Sequence, residues 1–201
     1  MELTMMFCKF DDFCNEFEYN FNSRFIASNK AFRNRKGKMS LSERMTILTL
    51  FHRSNYRTFK HFYKNYVGKN LKKYFPNLIS YERFVALIPS MIMPLTIFMY
   101  SQQGKCTGIS FIDSTKLPVC TNIRIERNKV FKGIARRGKS STGWFYGFKL
   151  HLAVNDKGEI LAFSITSGNV DDRVPVDNMT NNIFGKLFGD KGYSVLQPSG
   201  T

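Results

Sequence analysis

The sequence is short of acids and of cysteine. Its 201 residues hold 15 Asp+Glu against 30 Lys+Arg, a formal charge of +15. A chain so unbalanced repels itself unless a polyanion compensates it. Nucleic acid is the first expected partner and an anionic membrane surface the second. Four cysteines are too few for a disulfide-stapled scaffold. Cys8, Cys14, Cys106 and Cys120 form no C-x-x-C pair and have no histidine at zinc-finger spacing. Reduced, partly buried thiols in a reducing cytoplasm are expected, and a zinc site is not. The start, Met1 to Cys8, lacks the basic segment of a signal peptide, and Asp11, Asp12, Glu16 and Glu18 follow it. Internal repeats and low-complexity tracts are absent. Apolar material is plentiful: 43% hydrophobic residues, 20 of them Phe, supply a packed core and exclude wholesale disorder.

Long charge-free runs are also scarce. One stands out, Phe84 to Tyr100 (FVALIPSMIMPLTIFMY). It lies at the lower edge of the roughly 17–25 residues a bilayer span needs. Pro89 and Pro94 interrupt it, so a buried helix kinked or broken at the prolines is expected, and no membrane association.

Residues 1–103 read as a helical, basic region, whose charge makes it a candidate to bind DNA. Phe10, Phe13, Phe17 and Phe21 recur on one helical face. Ser40-Leu41-Ser42-Glu43 is a capping box, in which the Ser hydroxyl and Glu carboxylate each satisfy an orphan backbone N–H. The helix it opens carries Met45, Leu48, Phe51 and His52 on one side. Arg33, Arg35, Lys36 and Lys38, with the segment Arg57 to Lys73, make this half basic. A last helix is expected from about Tyr81 to Tyr100.

The texture changes near residue 104, and residues 104–201 read as a second domain. Ile109 to Thr115 (ISFIDST) is a short apolar strand around one acid. Trp144 to Val154 alternates, Asn155-Asp156-Lys157-Gly158 signals a hairpin, and Glu159 to Thr166 returns. Asp172 to Phe184 reads as a helix. Lys186 to Asp190 reads as a short strand ending in an acid.

Asp113 and Asp190 thus stand at the ends of apolar strands, where a carboxylate is costly unless compensated. Each alone reads as a structural group hydrogen-bonded by backbone amides. Together they gain weight, because parallel neighbouring strands bring two such acids to one end of a sheet. There they can ligate hard divalent ions about 3.5–4 Å apart.

FIDSTKLPVC, GWFYGFKLHLAVNDKGEI, ITSGNVDDR and KLFGDKGY, in that order, resemble bacterial insertion-sequence transposases of the DDE class. SLSERMTILTLFH and SYERFVALIPSMIMPL extend the resemblance over the helical half. The insertion-sequence family numbered nine-eighty-two is the most similar. The resemblance implies an α/β (mixed α+β) fold, in which a helical N-terminal region precedes an incomplete RNase H-like mixed sheet with flanking helices. It implies Asp113 and Asp190 as catalytic, metal-ligating acids and Mg²⁺ or Mn²⁺ as cofactor. The implied partners are the terminal inverted repeats of a transposon and target DNA, with a homo-oligomer in a synaptic complex. The implied setting is the nucleoid of a bacterial cytoplasm. In the family a third acid, a Glu, lies on a later helix. Here no Glu follows Glu159 and the sequence ends at Thr201. A C-terminally truncated transposase that has lost cleavage and strand transfer is therefore the expectation. The alternative is a non-catalytic DNA-binding remnant, and a misfolded product of a decayed gene stands behind both.

Nine cations follow the first acid: Lys116, Arg124, Arg127, Lys129, Lys132, Arg136, Arg137, Lys139 and Lys149, against one acid, Glu126. They read as a solvated excursion or, beside a metal site, as contacts to phosphates. Asp172, with Asp171, reads as a helix cap or as an auxiliary group of the active site. Lys149 and His151 share a strand face and read as paired or packed groups. Lys191 is a candidate phosphate contact. Trp144, Phe145 and Tyr146 read as core, ahead of the alternative of a base-stacking platform.

Overall fold

The computed structural model describes residues 2–27 and 37–190, with backbone alone for 21–27. The chain divides into two compact units, Met1–Ser101 and Gln102–Thr201.

The first unit is helical. Helix α1 (Leu3–Ala27) buries Met6, Phe10 and Cys14, with Phe13 and Phe17 half-buried beside them. The expected phenylalanine face is there; the side chain of Phe21 lies outside the described residues. Helix α2 (Leu41–Arg53) starts at the expected capping box: Glu43 N donates to Ser40 Oγ at 3.1 Å, and Ser40 N donates to Glu43 Oε2 at 2.7 Å. Its buried side is Met45, Thr46 and Ile47, while Leu48 and Phe51 are half-buried and His52 is exposed. Next, α3 (Phe59–His61) runs through a π-helical stretch, Phe62–Val67, into α4 (Gly68–Asn70). The π-helical turns bury Phe62, Tyr63 and Val67. The Tyr63 hydroxyl donates to the Ile79 carbonyl at 2.8 Å, and burial raises that hydroxyl's pKa above its ordinary value.

Helix α5 (Tyr81–Ser101) continues through Pro89 and Pro94. Of the kink or break expected there, the break does not occur. Phe84, Ile88, Met91, Leu95 and Phe98 keep an unbroken seam at three- and four-residue spacing against the core. Phe98 meets the rings of Phe10 and Phe13 at 4.7 and 5.2 Å. The burial expected all round does not occur either: Val85, Ile92, Met93, Ile97, Met99 and Tyr100 are exposed. This helix is long and apolar enough to cross a membrane by length and composition. Of the basic residues in this half, Arg33, Arg35 and Lys36 lie outside the described residues, and Lys38 is exposed.

The second unit is a mixed sheet. Its strands are β1 (Ile109–Cys120), β2 (Arg136–Ser140), β3 (Gly143–Asn155), β4 (Ile160–Ser167) and β5 (Lys186–Gly189). Strand β3 pairs antiparallel with β1 on one side. Along its other side it pairs with β2 over Gly143 to Gly147 and with β4 over Phe148 to Val154. Strand β5 joins β1 in parallel. The order β4-β3-β1-β5 is consistent with the first strands of an RNase H-like core. The expected hairpin is present, with Gly158 at φ 78° closing the turn. Asn155 locks that turn, its Oδ1 accepting from the N–H groups of Lys157 and Glu159.

The helix expected over Asp172 to Phe184 shrinks to α6 (Val176–Thr180). Pro175 disfavours helical backbone in the residue before it. Upstream, Asp171 is engaged in a turn instead, its Oδ1 accepting from Arg173 N at 3.0 Å. Neither Asp171 nor Asp172 caps α6, whose N-cap position is Pro175.

The meeting of β2 and β4 end to end on β3 depends on missing side chains. A Cβ on Gly138 would stand 2.0 Å from the Gly168 carbonyl oxygen, and Gly168 N donates to Gly147 O at 2.9 Å. Backbone has no room to yield there. Gly138→Ala is expected to destabilise the sheet by roughly 1–3 kcal/mol, read as a lower urea midpoint by circular dichroism.

Candidate active site

The parallel ladder between β1 and β5 ends at Ile112 opposite Gly189. The next residue on each strand is an aspartate: Asp113 and Asp190. Neighbouring strands run about 4.8 Å apart, so the two acids start from adjacent backbone positions. Two residues earlier, Phe111 and Phe188 are paired in register and their rings stack at 5.6 Å. Alternate side chains of a strand share a face, so the ring pair marks the face on which the acids lie. Both aspartates are exposed. Asp113 Oδ1 accepts from the Ser114 N–H at 2.7 Å, which orients the carboxylate from its own backbone.

Glycine holds this register at the other end of β5. Gly185 has φ 86°, and a Cβ on it would stand 2.2 Å from the Gly108 carbonyl oxygen. That carbonyl accepts from Lys186 N at 2.8 Å. Gly108 precedes Asp113 by the same spacing that separates Gly185 from Asp190. This repeated spacing is the signal in the sequence that identifies the glycine pair, and the strand reading alone passed over it.

Lys149, His151 and Asp172 lie on the opposite face. Lys149 pairs with Lys116 and His151 with Ser114 across β1–β3, one position off the Asp113–Leu152 pair. Beneath them Val176 and Met179 of α6 close a small core with Ile112 and Ala153. Lys149 Nζ donates to Asp172 Oδ1 and to Val170 O, both at 2.9 Å, with its side chain 13% exposed. The sheet therefore separates Lys149 and Asp172 from the two acids. Lys149 is spent on the protein, and Asp172 neutralises it. His151 is fully buried, with Nε2 2.9 Å from Thr166 Oγ1.

The basic excursion is ordered structure. Past Asp113, β1 continues to Cys120, a 3₁₀ turn spans Asn122–Arg127, and β2 returns along β3. Arg124, Arg127, Lys129, Lys132, Arg136, Arg137 and Lys139 are exposed, and Lys116 is half-buried beside Thr142. None of these eight forms an ion pair among the described residues. Phe145 and Tyr146 are buried, as expected of core groups, but Trp144 is 65% exposed. Strand alternation sets it apart from Phe145, and β2 covers only backbone at its edge. Lys191 lies outside the described residues.

Residues 103–197 match the family model of the transposase DDE domain. The match takes in β1 to β5, both acids and the whole basic excursion; the helical unit lies outside it. No curated protein and no solved structure matches the chain. Among the described residues no group of three or more His, Cys, Asp or Glu side chains stands together. The donor set is a pair of carboxylates. That pair suits a hard divalent cation of the Mg²⁺ kind, which takes one or two carboxylates and fills its shell with water and substrate phosphates.

Burial holds the His151 imidazole below its ordinary value of 6.5, against a smaller upward pull from Asp172. The unfolded chain takes up this proton near its ordinary value, whereas the folded chain refuses it. The contribution of His151 to stability is therefore intact above about pH 6.5 and is lost as pH falls below it. Urea midpoints between about pH 7.5 and 5 should show a decline that is shallower in His151→Gln.

Proposed function

We propose that this chain is an insertion-sequence transposase of the family numbered nine-eighty-two, acting on the phosphodiester backbone at transposon ends. The order of its motifs supports the family, and the match over residues 103–197 supports the DDE domain. The observation that carries the reading is the parallel β1–β5 ladder, whose last pair, Ile112–Gly189, is followed in sequence by Asp113 and by Asp190. Asp113 and Asp190 would hold Mg²⁺ or Mn²⁺. When bound, such an ion stabilises charge on a phosphoryl oxygen and makes its water more acidic. The exposed cations from Arg124 to Lys139 bind backbone phosphates of the end DNA, fixing its position without reading its sequence. The Ser114 N–H holds Asp113 with one oxygen engaged, which limits the carboxylate's rotation.

A second reading is a DNA-binding chain without cleavage chemistry. The ligand count favours it, since no group of three or more His, Cys, Asp or Glu side chains stands together among the described residues. Mg²⁺-dependent nicking of a terminal repeat, lost in Asp113→Ala, belongs to the first reading. Salt-sensitive binding to that repeat with no nicking belongs to the second.

Two measurements test the site directly. Mn²⁺ binding followed by electron paramagnetic resonance should weaken roughly tenfold or more in Asp113→Asn and in Asp190→Asn. Equal affinity in wild type and both variants overturns the metal assignment. End-DNA affinity should fall steeply with salt, with a slope reduced by about 0.9 for each cation of the excursion changed to Gln. The Lys149→Gln slope should stay that of wild type, because Lys149 is held by Asp172.

A further inference from the structure

Trp144 is the one tryptophan of the chain. It begins the long strand β3 just after the turn from β2, and it stands 65% exposed. An indole left in water at a strand position forfeits the burial that makes tryptophan a core residue. Its surroundings are cationic. Lys139 is its direct cross-strand partner, and Arg137 faces Tyr146 one alternate position along the same pair. Directly opposed residues of antiparallel strands share a face, so Trp144, Lys139 and Arg137 point to one side of the sheet. The Asn122 side-chain amide donates to the Trp144 carbonyl at 3.1 Å, tying the strand to the 3₁₀ turn that carries Arg124 and Arg127. The indole is thus mounted on hydrogen-bonded backbone, with Lys139 directly across the strand pair and Arg137 two residues along β2.

The same alternation links this spot to the two acids. Trp144, Tyr146, Phe148, Leu150 and Leu152 are alternate residues of β3, and Leu152 is paired with Asp113. From Trp144 to Leu152 the strand covers roughly 25 Å at about 3.3 Å per residue. Counted by alternation along β3, the indole falls on the side of Leu152, the partner of Asp113, with the register shift at Pro118–Cys120 between the two positions.

We propose that Trp144 is a stacking platform for an unpaired nucleobase of a DNA strand whose phosphates are held by Lys139 and Arg137. The assignment rests on the reading of the chain as a DNA-processing protein and adds to it a site for single-stranded DNA at the β2–β3 end of the sheet. The chemistry selects this ligand over a paired one. An exposed indole offers a flat apolar face that any base matches, and a base offers its own face only when unstacked. The cations beside it attract the strand's phosphates.

The single tryptophan makes the test direct. The full-length chain is titrated with a fluorescein-labelled single-stranded oligodeoxynucleotide and with the duplex of the same sequence. Label anisotropy reports binding, and tryptophan emission with acrylamide quenching reports cover over Trp144. Saturation with the single strand is expected to quench Trp144 and to cut its acrylamide accessibility several-fold. The duplex, held by phosphates, should leave the indole open. Trp144→Ala should weaken single-strand binding by roughly 5- to 150-fold, the range expected for one stacked base, and leave duplex binding near wild type. Trp144→Phe should restore most of the loss. Changing both Lys139 and Arg137 to Gln should lower the single-strand salt slope by about 1.4. Binding of the single strand with Trp144 still open to acrylamide, or equal affinity in Trp144→Ala, overturns the stacking site and leaves the DNA reading intact. Equal shielding by duplex and single strand overturns the preference for an unpaired base. Absence of any anisotropy change with either DNA overturns the DNA reading itself.

Discussion

The parallel pairing of β5 with β1 is the constraint on which the rest of the second unit turns. Four residues of β5 form ladder pairs, from Ile109–Lys186 to Ile112–Gly189. A strand this short gains little from its own hydrogen bonds and needs its register set from outside. Gly185 sets it, because a Cβ there would stand 2.2 Å from the Gly108 carbonyl oxygen. With the start pinned, the acids at the far end can only fall side by side. A slip of one residue would send one carboxylate to the opposite face, since side chains alternate with a period of two.

That alternation also divides the work of the sheet. The face toward α6 is a packing face, where a lysine and an aspartate neutralise one another over a small apolar core. The other face carries the carboxylate pair, a stack of two phenylalanine rings and, counted by alternation along β3, the exposed indole. Its apolar groups remain partly open: Phe111, Leu117, Ile165 and Phe188 are all exposed. Charge follows the same division. The buried cation is cancelled within the protein, and the uncancelled ones gather around the 3₁₀ turn and β2. An exposed cation without a protein partner costs little in water and remains available to a phosphate.

The helical unit rests on a different kind of contact. Phe51, Phe59, Phe62, Tyr63 and Phe84 meet ring to ring at 4.9 to 6.2 Å, around the π-helical stretch. Such pairs add to the gain from buried area, because ring edges and faces attract one another. This network explains how an irregular helix is tolerated there. Helix α5 stays helical through its two prolines, with a seam of packed side chains on both sides of them.

Much of this was legible in the residues. The capping box at Ser40, the hairpin at Asn155–Gly158 and the strand ending at Asp190 follow from local chemistry, because each depends on groups a few positions apart. The two acids could be singled out for the same reason: a carboxylate closing an apolar strand is visible without coordinates. The short α6 was misjudged where Pro175 and the Asp171 turn outweighed a helical pattern. Trp144 was misjudged because its burial depends on what lies across the sheet. The side of the sheet each group faces was also hidden. Lys149 counts as one more cation in the sequence, yet its ion pair with Asp172 withdraws it from solvent. The sequence by itself determined the basic charge and the two-part organisation, and it singled out the two acids as candidates, since composition and local spacing suffice for these. Only the tertiary structure decided that Asp113 and Asp190 each follow the last pair of one parallel ladder, that Lys149 and Asp172 pair on the other side of the sheet, and that Trp144 faces water. Those are matters of strand register, and register is set by contacts between residues far apart in the chain.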